Sequence, residues 1–130
     1  MINRHWDVFQ GKAYGRAKSD EIRVTLSERA VFYLNKAAFD VMGQPAAVEL
    51  RYDSNRRIIG IKAADALMRN AFLVRRHTAG NYRKVNASAF FKHFRIRLEG
   101  TSLFDGADFT PEGILELPMD SIVTVGRGAR

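Results

Sequence analysis

The sequence contains one short pattern twice, with a spacing of 51 residues. The first copy, residues 34–39, reads LNKAAF, and the second copy, residues 85–90, reads VNASAF. Both follow the order apolar residue, Asn, any residue, small residue, Ala, Phe. Asn is a favoured helix N-cap because its side-chain oxygen accepts a hydrogen bond from a free backbone N–H of the first turn. Each copy therefore predicts a strand end, a cap at Asn35 or Asn86, and a helix that turns Ala and Phe inward.

The residues around the two copies follow one plan, which indicates a duplicated unit. In the first half, the segments 22–26 and 31–34 predict a hairpin. A helix is predicted over 36–42 and ends at Gly43. The segments 48–52 and 58–61 then predict a second hairpin. The second half repeats this order with strands at 72–77, 82–85, 101–104 and 114–117 and a helix over 87–94. Phe90, Phe91 and Phe94 share one face of that helix, and 122–125 predict an additional edge strand.

A unit of this size cannot bury both faces of its own sheet, so two units are expected to share one core. We predict a mainly β (α+β) fold in which two β-hairpin–helix–β-hairpin repeats form one β-barrel about a pseudo-twofold axis. The predicted organisation is an N-terminal arm over 1–20, a first repeat over 21–63, a connector over 64–71, a second, basic repeat over 72–119 and a C-terminal tail over 120–130.

The net charge of +7 is concentrated in one quarter of the chain. Residues 66–98 contain eight Arg or Lys residues and no Asp or Glu, whereas residues 1–65 sum to +3 and residues 99–130 to −4. Such a basic segment indicates an anionic partner, with nucleic acid first among the candidates, although a solvated cationic face gives the same pattern.

The predicted hairpin over 72–85 carries much of this charge. Because alternate residues of a strand share a face, Arg75 and His77 are expected on one face and Arg76 on the other. Two cationic strands joined by a small turn can lie across phosphates or enter a major groove as a β-ribbon. Neutralisation by about four such residues predicts a salt slope of roughly −3 to −4 on duplex DNA. The candidate nucleic-acid-binding residues of the second half are Arg69, Arg75, Arg76, Arg83, Lys84, Lys92 and Arg95.

The sequence carries no recognisable catalytic or metal-binding pattern. Cys is absent, and His5, His77 and His93 have no i, i+4 pairing, so no zinc site is predicted. Phosphate-binding Gly-Lys-Ser/Thr loops, Gly-x-Gly-x-x-Gly segments and Gly-x-Ser-x-Gly elbows do not occur. No run approaches about 18 apolar residues. We therefore predict a cytoplasmic protein that is not an enzyme and has no cofactor, no metal and no membrane partner.

Several motifs of the first half occur in the order VTL at 24–26, VFYLNK at 31–36, VMG at 41–43, VELRYD at 48–53 and IIGI at 58–61. This order resembles the AbrB/MazE-type swapped-hairpin family over residues 22–62 and, through the internal repeat, over 72–117. Two copies in one chain are similar to the tandem arrangement of MraZ-type regulators. The chain departs from the family in having Asn35 where a Pro usually precedes the helix Lys, and QPAA at 44–47 in place of a Gly-Asp loop. The acidic–Arg signature of MraZ-type regulators is also missing.

The resemblance implies a swapped-hairpin-like barrel and a DNA-binding transcriptional regulator or antitoxin-like protein that binds duplex DNA. It also implies a homodimer or higher oligomer, because members of the family interleave two chains. Of the family's basic positions, Arg29 and Lys36 have counterparts here, and they join the candidate DNA-binding residues. The alternative is a non-enzymatic protein-interaction or assembly module, whose basic face contacts an acidic protein partner or the acidic C-terminal third of the chain. The N-terminal arm either reaches along DNA or covers a sheet edge.

Overall fold

The computed structural model of the chain describes residues 21–77, 80–104 and 107–125. The predicted N-terminal arm and residues 126–130 of the predicted tail lie outside these ranges. The strands are β1 (Val24–Leu26), β2 (Val31–Leu34), β3 (Ala47–Asp53), β4 (Ile58–Ala64), β5 (Phe72–Leu73), β6 (Arg75–Arg76), β7 (Arg83–Asn86), β8 (Thr101–Phe104), β9 (Asp108–Phe109), β10 (Ile114–Pro118) and β11 (Ile122–Val125). The helices are α1 (Lys36–Val41) and α2 (Ser88–Phe94), and a short 3-10 helix (Met119–Ser121) precedes β11.

The strands form two antiparallel sheets. One has the order β11-β8-β1-β2-β7-β6 and the other the order β5-β3-β4-β10-β9. The predicted mainly β, α+β class is therefore confirmed, and β11 is an edge strand as expected. The single closed barrel is not found in the described residues. Within the described residues, the six-stranded sheet ends at β11 and β6 and the five-stranded sheet at β5 and β9, and none of these end strands pairs with the other sheet, so both sheets stay open.

Strands from the first and second halves of the chain pair with one another in both sheets. In the six-stranded sheet, β2 pairs with β7 and β1 pairs with β8. In the five-stranded sheet, β4 pairs with β10 and β3 pairs with β5. The predicted strand 72–77 is interrupted at Val74, whose N–H donates to Ala46 O, so β5 lies in one sheet and β6 in the other.

One hydrophobic core joins both sheets and both helices. Phe32 on β2 is fully buried, and its ring centroid lies 5.7 Å from that of Phe91 on α2 and 6.5 Å from that of Phe104 on β8. Ile59 and Leu115 from the five-stranded sheet belong to the same cluster. Full burial of such a side chain stabilises a fold by about 1.5–3 kcal/mol. The two halves of the chain thus share one core, as expected, and α2 is anchored by it.

The two Asn residues of the repeated pattern behave differently. Asn35 caps α1 as predicted, because its Oδ1 accepts from Ala38 N at 2.9 Å. Asn86 does not cap α2; it is the last residue of β7, and its Oδ1 accepts from Ser88 N. The helix begins at Ser88 with Ala87 in the N-cap position and no side-chain cap. The cause is the pairing of β7 with β2, which keeps Asn86 extended opposite Val31.

The predicted apolar face of α2 is only partly correct. Phe90 and Phe91 are buried, but 41% of Phe94 is exposed. Phe94 lies at the end of the helix, where its ring contacts Phe90 and Tyr52 rather than entering the core. Helical spacing correctly predicted that Phe90 and Phe91 point into the core, but it could not show that the end of the helix at Phe94 lies near the surface.

Candidate nucleic-acid interface

A concave groove of about 430 Å³ lies between the turn 27–30 and helix α2. It brings together three of the predicted residues, Arg29, Lys92 and Arg95, with a fourth cation, Arg97. Its apolar lining includes Phe91, Ile96 and Leu98. Arg29 comes from the first half of the chain and the other three cations from the second half, so the groove exists only because the two halves pack together.

Hydrogen bonds of the turn hold Arg29 in place. Ser27 Oγ accepts from Arg29 N and Val31 N, both at 3.2 Å, and the turn residue Ala30 has a positive φ of 65°. Ala30 O then accepts from Ala87 N at 2.7 Å, next to the start of α2. The turn and the helix are therefore joined directly by backbone, which sets the width of the groove.

The end of α2 positions the other cations. Lys92, in the last turn of α2, and Arg95, directly after the helix, both line the groove. Arg95 is the C-cap in the left-handed conformation, with φ 56° and ψ 41°. Ile96 N donates to Phe91 O, which ends the helix and directs Arg97 along the groove wall. The sequence had a signal for Arg97, since cations alternate with apolar residues at 95–98, but it was not among the predicted residues.

The groove is strongly positive. Arg29, Lys92, Arg95 and Arg97 are all exposed, and none forms an ion pair with a described residue. Among the described residues that line the groove, Glu28 is the one acid. The four cations outnumber this acid, so the concavity carries a net positive charge that favours an anionic ligand.

The strand pair β6–β7 carries a second group of cations, which is arranged as two pairs. Arg75 lies directly opposite Lys84, and Arg76 lies directly opposite Arg83. Like charges at directly opposite positions destabilise an antiparallel pair. Within the described residues, Arg75, Arg76 and Lys84 form no ion pair with an acid that would offset this repulsion.

These four cations do not form one basic face. Because opposite residues point to the same side of a sheet, Arg75 and Lys84 share one face and Arg76 and Arg83 the other. Lys84 lies opposite Tyr33, and Arg83 lies opposite the buried Leu34. The predicted separation of Arg75 from Arg76 is confirmed by this register.

The Arg83 guanidinium has a partner on helix α1. Its Cζ lies 4.6 Å from the centroid of the Phe39 ring, which is a cation–π contact. Arg83 also lowers the pKa of Asp40 slightly through its charge, after the larger effects of hydrogen bonds from Lys36 and Gln44. Arg83 therefore contributes to the packing of α1 on the sheet.

The last two predicted residues belong to neither group. Lys36 is exposed, and its Nζ donates to Asp40 Oδ2 at 2.6 Å in an i, i+4 ion pair. The charge of Lys36 is therefore compensated within α1. Arg69 is exposed in the turn-rich connector between β4 and β5, and it neither lines the groove nor pairs with the cationic strands.

Metal binding and membrane crossing find no support in the described part of the chain. No group of three or more His, Cys, Asp or Glu residues there is arranged to hold a metal ion. Among the described helices, none has the length and apolar character needed to cross a membrane. Comparison with protein-family models, curated proteins and solved structures found no match to this chain.

Proposed function

We propose that the protein is a non-enzymatic DNA-binding regulator whose groove of Arg29, Lys92, Arg95 and Arg97 contacts the phosphate backbone of duplex DNA. The observation that carries this proposal is the convergence of four exposed cations, none of them ion-paired with a described residue, on one concavity. Phosphate contacts of this kind supply most of the affinity and the salt dependence of protein–DNA complexes.

An AbrB-like tandem architecture is part of the same proposal. Supporting it, β2 and β7 pair so that Tyr33 lies opposite Lys84, and these positions differ by 51, the spacing of the repeated pattern. The exchange of strands between halves, β1 with β8 and β3 with β5, also agrees with two interleaved repeats. In such an arrangement, the two repeats of one chain pair with each other in the way that two separate chains pair in the family members with a single repeat.

The test compares two variants that lose the same number of charges. The groove variant replaces Arg29, Lys92, Arg95 and Arg97 with Gln. The control replaces four cations of the β3–β4 hairpin that do not line the groove with Gln, namely Arg51, Arg56, Arg57 and Lys62. Gel-shift titrations with a short duplex at about 50 and 200 mM salt measure the affinity and its salt slope.

The wild-type protein is expected to bind with a salt slope of roughly −3 to −4. The groove variant should bind at least tenfold more weakly at low salt with a slope shallower by about 3 to 4, because each of the lost phosphate contacts changes the slope by about 0.9. The control should retain most of the affinity. Absence of duplex binding at low salt, or equal losses in both variants, overturns the proposal. Self-association that weakens with salt, without duplex binding, would instead identify the assembly module.

A further inference from the structure

A second concave site lies on the face of the six-stranded sheet that is turned away from the core. Of the residues that the structure describes, Thr25, Tyr33, His77, Gly80 and Tyr82 line a volume of about 470 Å³ there. Thr25 and Tyr33 alternate along their strands with fully buried residues, so they point away from the core. The volume lies within the range of about 300–1,000 Å³ that is typical of small-molecule sites.

Three half-buried rings form the wall of this site. The ring centroids of Tyr33 and His77 are 5.1 Å apart with an interplanar angle of 64°. His77 N donates to Tyr82 O at 3.1 Å, which holds the two strands together where the site lies. The rings of Tyr33, His77 and Tyr82 belong to three different parts of the sheet, and each leaves part of its surface open to solvent.

Two cations lie on the same face, directly beside the rings. Arg75 precedes His77 by two residues and lies opposite Lys84, and Lys84 lies opposite Tyr33. His77 Nδ1 is enclosed and has no hydrogen-bond partner among the described residues. The site therefore combines open aromatic surface with a like-charge pair on the same face of the sheet.

We propose that this site binds an unpaired nucleobase of single-stranded nucleic acid, with the adjoining phosphates on Arg75 and Lys84. A base stacks on aromatic rings whatever its identity, and a phosphate offsets the repulsion between the two cations. A purely apolar ligand would leave Arg75 and Lys84 uncompensated, and a duplex keeps its bases stacked on each other. The inference does not rest on duplex binding at the groove, which involves different residues.

The test uses two labelled probes of equal charge, an oligothymidylate of about eight nucleotides and an abasic oligomer of the same length. Fluorescence anisotropy compares the wild-type protein with the double variant Tyr33→Leu/Tyr82→Leu. The double variant Tyr33→Phe/Tyr82→Phe is the matched control because it keeps the rings. A single variant, Tyr82→Leu, is measured as well in case the Leu double variant does not fold, and circular dichroism verifies the fold of each.

The wild type and the Phe variant should prefer the oligothymidylate over the abasic probe by about tenfold or more, since stacking contributes strongly for each base. The Leu variants should lose this preference while retaining duplex binding. Equal affinity of the wild type for both probes, or an unchanged preference in the folded Leu variants, overturns the inference. Loss of duplex binding in the groove variant alone leaves this preference intact, so the two proposals can fail separately.

Discussion

Tyr33 lies directly opposite Lys84 in the antiparallel pair of β2 and β7. Their positions differ by 51 residues, the spacing of the repeated sequence pattern. In an antiparallel pair, a local twofold axis passes between directly opposite residues. If a twofold axis relates the two proposed repeats and passes between β2 and β7, a residue of the first repeat must lie opposite its own counterpart in the second repeat, as Tyr33 and Lys84 do. The two residues nevertheless differ in chemistry, since one supplies an aromatic ring and the other a cation to the same outer face.

Replacing Asn35 should cost far more than replacing its counterpart in the second copy. Asn35 is buried, its Oδ1 accepts from Ala38 N and Arg23 N, and its Nδ2 donates to Glu21 O. Asn35→Ala removes the acceptor of the buried Ala38 N and of the half-buried Arg23 N, so we expect a loss of about 2–4 kcal/mol in the free energy of unfolding. Asn86→Ala, at an exposed position with one local hydrogen bond, should cost less than about 1 kcal/mol. Urea denaturation of both variants measures the difference, and equal losses would contradict it.

Reversing one charge of the Arg75–Lys84 pair should stabilise the fold and weaken nucleic-acid binding at once. Arg75→Glu converts a like-charge pair at directly opposite positions into an attractive one. We expect the free energy of unfolding to rise by about 0.5 kcal/mol at low salt. Arg75→Gln, which only removes the repulsion, should give a smaller rise. Thermal unfolding and anisotropy on the same samples test both effects. A loss of stability in the Glu variant would show that the pair is not under repulsion.

Phe32 should be among the most sensitive positions of the core. It is fully buried and lies between Phe91 and Phe104, so Phe32→Ala leaves a cavity where the sheet meets α2. We expect a loss of about 3–5 kcal/mol. Phe94→Ala removes the same side chain from a position with 41% exposure, and about 1 kcal/mol is expected there. Chemical denaturation distinguishes the two, and a similar cost at both positions would argue against the packing described for α2.

The Lys36–Asp40 pair should contribute to stability in a pH-dependent way. Hydrogen bonds from Lys36 and then Gln44 hold the pKa of Asp40 below its ordinary value of 3.8. Because the folded pKa is the lower one, the contribution is present above pH 3.8 and is lost as the pH falls through the folded value. A double-mutant cycle of Asp40→Asn and Lys36→Gln, followed by urea denaturation from neutral to acidic pH, should show a coupling that disappears at the acidic end. A coupling independent of pH would contradict this account.

Most secondary-structure elements could be predicted from local chemistry. Neighbouring residues mainly determine the alternating strands at 22–26 and 48–52 and the helix cap at Asn35. They also determine the helix end at Gly43, whose φ is +85°. Asn86 marks the limit of this approach. Its sequence context matches that of Asn35, but pairing with Val31 keeps it in the strand. A distant partner there overrides the local preference for a cap.

The charge count located a basic segment in the chain, and strand pairing distributed that charge over separate surfaces. Arg29 lies far from Lys92 in sequence, yet the two line one groove. Strand alternation alone predicted that Arg75 and Arg76 point to opposite faces, but only the register shows that Lys84 and Arg83 lie opposite them. Local sequence therefore specifies which segments become strands and helices, since hydrogen bonding and side-chain periodicity act over a few residues. Which cations share a surface depends on how buried apolar residues such as Phe32 and Phe91 bring distant segments together, and no local pattern contains that information.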